Sequence, residues 1–235
     1  MLFDLPEDNM RRISICFLLA LLCTALGCTA QSAAPAQSGA AAQSNAAQIA
    51  LPAASRSGGI TLNEALARRR SVRSFTAEKL TPEQIAQLAW SAQGISGEQG
   101  HRTAPSAHAK YYLHLYLAQP EGFFEYIPAS HSLQQLGNKD LRATLSEQGT
   151  VKNAPYVFLI AGEYDRAIKD TDRERGTRFV NLEAGHAAQN LLLQATALGL
   201  GAVPVGGIEP QQTAKAASLP ANIVPIYLIP VGRPK

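Results

Sequence analysis

A long stretch of this chain, residues 29–59, offers little material for a hydrophobic core, so the folded domain is expected after it. Residues 29–59 are rich in Ala, Ser, Gln, Pro and Gly and show no hydrophobic periodicity. Such a composition is typical of a flexible tether. The sequence therefore predicts one folded domain over residues 60–235, which is long enough to bury a single core.

An export signal is predicted for residues 1–28. Arg11 and Arg12 stand just before an apolar run over residues 13–26. A positively charged start followed by a short apolar run is typical of a secretory signal, whereas a membrane-spanning helix needs about 20 apolar residues. We therefore expect an exported protein of the cell envelope.

All three cysteines of the chain, Cys16, Cys23 and Cys28, fall within the predicted export segment. The predicted domain therefore has no disulfide, thiolate metal site or Cys nucleophile, and no metal is predicted. Residues 25–28, Ala-Leu-Gly-Cys, resemble a bacterial lipoprotein box. The resemblance implies that Cys28 is lipidated and anchors the protein to a membrane. Ordinary cleavage after Ala30 is the alternative.

The charge balance does not indicate a nucleic-acid partner. The formal net charge is +3, and the chain shows no basic stripe interleaved with aromatic residues. Membrane contact is expected only through the predicted lipid anchor.

Capping residues and apolar spacing predict several helices. Thr61 with Glu64, and Thr81 with Gln84, have the capping-box pattern that starts a helix. The first of these helices is expected to end near Arg70. A long helix is predicted over residues 179–198 and a short one over 210–217. The long helix has these residues near one side: Leu182, Gln189, Leu192, Leu193 and Thr196.

Four strands are predicted over residues 111–117, 155–161, 202–205 and 223–231. The first alternates apolar and polar residues, and the second is a continuous apolar run typical of a buried strand. Helices and strands mix without a regular alternation. The predicted fold class is therefore α+β, with a sheet flanked by helices.

Residues 69–73, Arg-Arg-Ser-Val-Arg, combine three guanidinium groups and a hydroxyl at the end of the first predicted helix. Such a group suits a phosphate or another oxyanion. Three further stretches follow in order, at residues 102–107, 183–191 and 199–207. Together these four stretches resemble the FMN-dependent nitroreductase superfamily, and more narrowly its SagB-type dehydrogenase branch. The resemblance covers nearly all of residues 60–235.

The resemblance implies a central mixed or antiparallel sheet flanked by helices, in a homodimer that exchanges terminal segments and holds FMN at its interface. Arg69 and Ser71 would bind the ribityl-phosphate end of FMN. Arg73 would lie near the pyrimidine edge of the flavin, where a fixed cation favours hydride acceptance. Arg70 belongs to the same group, with simple solvation as the alternative.

The resemblance also implies roles for residues farther along the chain. Pro105 and Ser106 would come from the partner subunit and lie against the isoalloxazine; an ordinary turn is the alternative. Gly206 and Gly207 would present backbone N–H groups to flavin N5 and O4, since glycine leaves room for a flat ring. The remaining expected cofactor-binding residues are Pro204, Val205 and Arg233.

Two departures from the family pattern bear on the substrate. Azoline-oxidising members carry a Lys-Tyr pair shortly before the Arg-Gly that corresponds to Arg175-Gly176, and residues 171–174 contain no such pair. His108 stands where the family usually has Gly after Pro-Ser-Ala. His108 and His101 are therefore the expected lining of a substrate pocket.

The expected function is an FMN-dependent oxidoreductase that takes hydride from NAD(P)H and passes it to a small electron-poor acceptor, such as a nitroaromatic or a quinone. The scheme needs no side-chain acid or base, and His186 on the long helix is interpreted as structural. The alternatives are a SagB-type dehydrogenase that acts on an exported peptide or small molecule, and a flavin-binding lipoprotein without turnover.

Overall fold

The structure, a computed structural model, describes residues 47–235. The predicted export segment with Cys28, and the predicted tether as far as residue 46, lie outside the described residues. No helix within residues 47–235 is both long and apolar enough to cross a bilayer.

A seven-stranded antiparallel sheet forms the centre of the described chain, in the order β1-β4-β3-β2-β5-β7-β6. The strands are β1 (Gln48–Ala50), β2 (Leu113–Gln119), β3 (Gly122–Ile127), β4 (Ser132–Gly137), β5 (Tyr156–Gly162), β6 (Gly201–Ala202) and β7 (Val224–Gly232). The structure confirms the expected α+β class with an antiparallel sheet. β5, a continuous apolar run, is buried along its whole length between β2 and β7.

The strand at one edge of the sheet, β1, lies before residue 60, where the folded domain was predicted to start. β1 pairs with β4, with Gln48 opposite Gln134 and Ala50 opposite Ser132. The following residues are also fixed, because Leu51 N–H donates to the His131 carbonyl at 3.1 Å. The tether predicted up to residue 59 is therefore corrected for residues 47–59, which contribute to the folded part.

Six α-helices occur in the described residues, besides two single-turn 3-10 helices at Glu98–Gly100 and Ala107–Ala109. The α-helices are α1 (Leu62–Arg68), α2 (Pro82–Gln93), α3 (Gly149–Lys152), α4 (Tyr164–Asp170), α5 (Arg173–Ala197) and α6 (Pro210–Ala216). Both predicted capping boxes are present, with Thr61 at the start of α1 and Thr81 at the start of α2. In each box the threonine hydroxyl accepts from a backbone N–H, and the returning side chain accepts from the threonine N–H.

α5 is longer than predicted, and its buried face matches the predicted one only in part, since Leu192 is buried as expected. It begins after Asp172, whose side chain accepts from Arg175 N–H at 2.8 Å. Leu182, predicted for the buried side, is more than half exposed. Besides Leu192, the buried residues of α5 are mostly small, namely Gly176, Val180, Glu183, Ala184, Ala187, Ala188, Leu191 and Ala195. Small side chains allow α5 to lie close to the sheet and to α2.

The sheet buries both of its faces. One face packs against α2 and α5 through alternate residues such as Leu115 and Phe158. The opposite face, with Tyr116 and Leu159, packs against α6 and the loops on that side. This alternation follows from the two-residue period of a strand, which sends successive side chains to opposite faces.

Candidate functional site

The arginine segment, residues 69–73, leaves α1 at the sheet edge formed by β6. Val72 N–H donates to the Ala202 carbonyl at 3.1 Å, and Ser71 forms a parallel bridge with Ala202. Gly201 is required here, because a Cβ on it would lie 2.6 Å from a methyl carbon of Val72. The arginine segment is thus fixed by its backbone, which leaves its side chains for other partners.

The C-terminal residues hold the continuation of this segment. Thr76 N–H donates to the Arg233 carbonyl at 2.9 Å, and Lys235 N–H donates to the Ser74 carbonyl at 3.2 Å. The arginine segment, β6 and the end of β7 therefore form one backbone unit, which brings Arg233 to the side of the molecule that carries residues 69–73.

The three arginines of the segment differ in their contacts. Arg70 donates through one guanidinium nitrogen to the carbonyls of Ala67 and Arg69, at 3.0 and 2.8 Å, so it caps the end of α1. Arg69, half-buried, and Arg73, exposed, make no side-chain hydrogen bond or ion pair within residues 47–235. Two guanidinium groups beside the Ser71 hydroxyl thus retain all their donors for an anion.

Arg233 is less available than Arg69 and Arg73. Its Nε lies 2.7 Å from a carboxylate oxygen of Glu78, close enough for an ion pair although the angle is poor for a hydrogen bond. An anion at Arg233 would therefore share this guanidinium with Glu78.

Gly206 and Gly207 follow directly on a backbone pairing between Val205 and Leu228, whose N–H and C=O groups bond reciprocally at 2.8 and 3.1 Å. Both glycines are exposed, and neither N–H donates a hydrogen bond within the described part of the chain. A Cβ on Gly206 would come within 3.1 Å of the Tyr227 ring. Pro204 is half-buried and Val205 buried behind them. Two free backbone donors at an open surface fit the edge of a flat, acceptor-bearing ring such as flavin.

Pro105 and Ser106 lie elsewhere on the molecule, against α5. The Ser106 hydroxyl donates to Glu183 Oε2 at 2.6 Å and accepts from Tyr111 N–H at 2.9 Å. No hydrogen bond, ion pair or ring contact within residues 47–235 joins them to the arginine segment. Pro105 is exposed next to this fixed hydroxyl.

Glu183 is a buried carboxylate at the start of the motif at residues 183–191, and no role was predicted for it. It is 1% exposed, and it also accepts from Tyr112 N–H at 3.3 Å. Burial raises the pKa of Glu183, while the hydrogen bonds and the charges of Arg102 and Arg166 act in the opposite direction. Its other oxygen, Oε1, has no hydrogen-bond partner in the described residues. The sequence contains one signal for this buried carboxylate, namely an acidic residue next to the alanines of the predicted long helix.

His101 and His108, expected to line a substrate pocket, both occupy exposed turns near Pro105. The His108 ring meets Phe179 edge-to-face, with centroids 6.5 Å apart. His108 and the following Ala109 have φ of 52° and 54°, in the left-handed region that favours glycine. This explains physically why a glycine would suit position 108. His186 is exposed on α5 and makes no hydrogen bond or ion pair with the described residues.

Comparison with known proteins gives consistent matches. The sequence profile of the nitroreductase family matches residues 66–233. A nitroreductase-like protein from Methanocaldococcus jannaschii is 35% identical over 184 residues, which are 74% of this chain and 91% of that one. An FMN reductase (NADPH) from Bacillus subtilis is 25% identical over 185 residues, 73% of this chain and 65% of the relative.

A solved structure supports the same assignment. The crystal structure of a nitroreductase-like protein from Ralstonia eutropha aligns with a TM-score of 0.76 and 31% identity, and the alignment covers 80% of this chain and 90% of that one. The fold and its relatives thus define an oxidoreductase of the α+β class that uses flavin. The chain belongs to the nitroreductase family.

Proposed function

We propose that this protein is a dimeric FMN-dependent oxidoreductase that accepts electrons from NAD(P)H and reduces a small electron-poor acceptor such as a nitroaromatic or a quinone. When bound, FMN supplies hydride transfer at its N5 atom. The observation that carries this proposal is a set of unused donors on the arginine segment and on the loop that follows β6. The donors are the guanidinium groups of Arg69 and Arg73, the Ser71 hydroxyl, and the N–H groups of Gly206 and Gly207.

Each of these donors has a role that its surroundings favour. Arg69 is half-buried at the end of α1, next to Ser71, and this pair suits the phosphate, which accepts several charge-assisted hydrogen bonds. Arg73 is exposed farther along the segment and suits the pyrimidine edge of the ring, where its fixed charge stabilises the reduced flavin. Gly206 and Gly207 orient the ring through their backbone N–H groups. Arg70, already bonded to two carbonyls, holds the helix end.

A homodimer is proposed because exposed apolar side chains lie on the two helices beside the arginine segment. Leu62 and Leu66 on α1 and Leu182 on α5 are each more than half exposed. Large apolar side chains exposed on two neighbouring helices are a feature of surfaces that a partner covers. In such a dimer, Pro105 and Ser106 of the partner would approach the flavin. Within residues 47–235, no hydrogen bond, ion pair or ring contact joins Pro105 or Ser106 to the arginine segment of the same chain.

The cellular setting of this proposal comes from the sequence alone. An export segment at residues 1–28 and lipidation at Cys28 would place the protein in the cell envelope. Free NAD(P)H is expected to be scarce there, so a membrane donor is the corresponding variant of the scheme. The SagB-type dehydrogenase and the flavin-binding lipoprotein without turnover remain the alternative functions.

One anaerobic titration separates these functions. The full chain is purified, mixed with FMN, freed of unbound flavin and titrated with NADH and NADPH while the visible spectrum is recorded. We expect a yellow protein whose flavin absorbance bleaches with nicotinamide and returns when a quinone is added. A protein that retains no FMN would contradict the proposal. A yellow protein that nicotinamide does not bleach would favour a different donor or the binding role.

A further inference from the structure

A cavity of about 890 Å³ lies on the face of the sheet opposite α5, and none of the proposed flavin-binding residues lines it. Its floor is the sheet, and its rim is formed by the loop after β4 and by the chain that follows α6. We call it the sheet-face cavity. Its volume lies within the range of small-molecule binding sites, which runs from about 300 to 1,000 Å³.

The floor of the sheet-face cavity carries three stacked rings. The ring of Tyr116 lies 5.4 Å from that of Phe123 and 6.2 Å from that of His114, and the interplanar angles are 14° and 15°. Leu136 on β4 and Leu219 and Ile223 after α6 complete apolar walls around this floor. A row of aromatic rings between aliphatic walls suits an apolar aromatic molecule.

Tyr116 supplies an unused polar group in this apolar setting. It is 3% exposed, yet its hydroxyl makes no hydrogen bond within residues 47–235. The oxygen is not among the fully buried unpartnered atoms, so it reaches the open cavity, where a ligand acceptor could take the place of water as its hydrogen-bond partner. Burial raises the pKa of Tyr116, so the phenol stays protonated and can donate.

The charged groups at one end of the cavity compensate one another. His114 Nδ1 lies 2.7 Å from a Glu125 carboxylate oxygen, and Glu163 pairs with Arg166 at 2.9 Å. The hydrogen bond to Glu125 is the main reason that the pKa of His114 is raised, which favours its charged form. These pairs leave no unpaired charge at this end. The other charged residue of the lining, Lys139, is exposed on the loop after β4 and makes no ion pair within residues 47–235, so its ammonium group lies at the surface in water.

We infer that the sheet-face cavity binds an uncharged, largely apolar aromatic molecule that carries one hydrogen-bond acceptor, which receives the Tyr116 hydroxyl. The site is separate from the proposed flavin site and does not depend on it. A ring of this ligand lies over Tyr116 and Phe123, and its aliphatic part lies against Leu136 at the rim.

The test uses 6-propionyl-2-(dimethylamino)naphthalene, an uncharged aromatic ketone, as the probe. Its uptake by the full chain is measured by equilibrium dialysis, with and without excess FMN. We expect saturable uptake approaching one molecule per chain, equal in both conditions. Absence of saturable uptake would overturn the inference, and displacement of the probe by FMN would do so as well, because it would place the probe in the flavin site.

Two pairs of matched variants locate the probe. Leu136→Arg, at a residue 49% exposed on β4, is expected to weaken uptake at least about tenfold, since it places a charge at the apolar rim. Ile49→Arg, at a residue 45% exposed on the neighbouring strand outside the cavity lining, is its control and should change nothing. Equal weakening by both variants would contradict binding in this cavity.

Tyr116→Phe tests the hydrogen bond. Loss of one neutral hydrogen bond should weaken uptake about two- to tenfold without changing the stoichiometry. Tyr164→Phe is the matched control, because the Tyr164 hydroxyl donates to Asn181 at 2.6 Å and does not line the cavity. Uptake of 2-ethylnaphthalene, which has no acceptor, should be the same in Tyr116→Phe as in the unaltered protein. An unchanged affinity for the ketone in Tyr116→Phe would remove the hydroxyl from the inference.

Discussion

Two polar regions of this protein use their side chains in opposite ways. In the arginine segment, Arg69 and Arg73 make no side-chain bond to the described residues and reach the surface. In the Ser106–Glu183 pair, the hydroxyl is bonded on both sides and the carboxylate is 1% exposed. The family resemblance implied flavin contacts for both regions, but only the first leaves its side-chain donors free.

The difference separates residues that are available to bind a ligand from residues that hold other side chains in place. A free guanidinium gains charge-assisted hydrogen bonds when an anion arrives. A hydroxyl that already holds a buried carboxylate would leave that carboxylate less satisfied if it turned to a ligand. We therefore expect substitutions in the arginine segment to change cofactor binding, and substitutions in the buried pair to change stability.

The largest expected effect is on FMN affinity in Arg69→Ala. Removal of the charge-assisted bonds to phosphate should raise the Kd for FMN by about 10- to 100-fold, since such bonds contribute about 1.5–3 kcal/mol. Fluorescence titration of FMN measures this. Arg70→Ala is the matched control, because Arg70 contacts only carbonyls at the helix end, and its Kd should change by less than about threefold. Similar losses in both variants would mean that the segment acts through general charge.

Ser106→Ala should lower the free energy of unfolding by about 1–3 kcal/mol at neutral pH, because a buried carboxylate loses a donor. FMN affinity per folded molecule should change less than in Arg69→Ala. Chemical denaturation at several pH values gives the stability. Full stability combined with lost FMN would reverse the comparison between the two regions.

The pH dependence of Ser106→Ala follows from Glu183. Burial raises the folded-state pKa of Glu183 above its ordinary value, so its ionised form opposes folding. Its unfavourable contribution is present above the folded pKa and disappears as the pH falls toward the ordinary value of 4.5. The loss in Ser106→Ala should therefore shrink at lower pH. A loss that does not change with pH would show that Glu183 is not involved.

Arg73→Ala tests whether Arg69 and Arg73 have different roles within the arginine segment. It should slow flavin reduction by about tenfold, equivalent to about 1.4 kcal/mol, since a cation that stabilises the reduced ring is lost. The effect on FMN retention should be smaller than that of Arg69→Ala. Anaerobic stopped-flow reduction and FMN titration give the two quantities. Equal effects of both variants on rate and retention would abolish the division of roles.

The smallest expected effect is a gain in stability. His108→Gly should stabilise the protein by about 1 kcal/mol, because φ of 52° strains a residue with a Cβ. Lys110→Gly is the control: its φ of −80° is unstrained, so glycine should destabilise it slightly. Thermal unfolding measures both. A loss of stability in His108→Gly would mean that the edge contact with Phe179 outweighs the strain.

Local signals allowed part of the fold to be predicted. The capping boxes at Thr61 and Thr81 and the apolar run of β5 carry their information within a few residues. β3 and β4 escaped prediction because their residues, including the polar Gln134 and Gln135, do not alternate clearly. β1 resembled tether, since its three residues form a strand only through pairing with β4. Pairing with a strand more than 80 residues away cannot be predicted from the few residues around β1.

For the candidate site too, local features could be predicted from the sequence, whereas features that depend on distant partners could not. The composition of residues 69–73, with three arginines and a serine, predicts an anion site. The structure places these residues beside β6. The roles of Arg70 and Arg233 could not be read from the sequence, because they depend on a helix end and on Glu78 respectively. Glu183 was equally hidden, since its partner Ser106 lies on a distant loop.

The backbone unit that carries the arginine segment also sets an order of events during folding. Ser71 pairs with Ala202, and Ser74 with Lys235, so residues 71–74 are held by backbone partners that follow them by more than 125 residues in the sequence. Contacts this distant in sequence close slowly. On refolding, α2 and the β2–β5 pairing would form first and capture of FMN would come last, as a separate slow phase in flavin fluorescence.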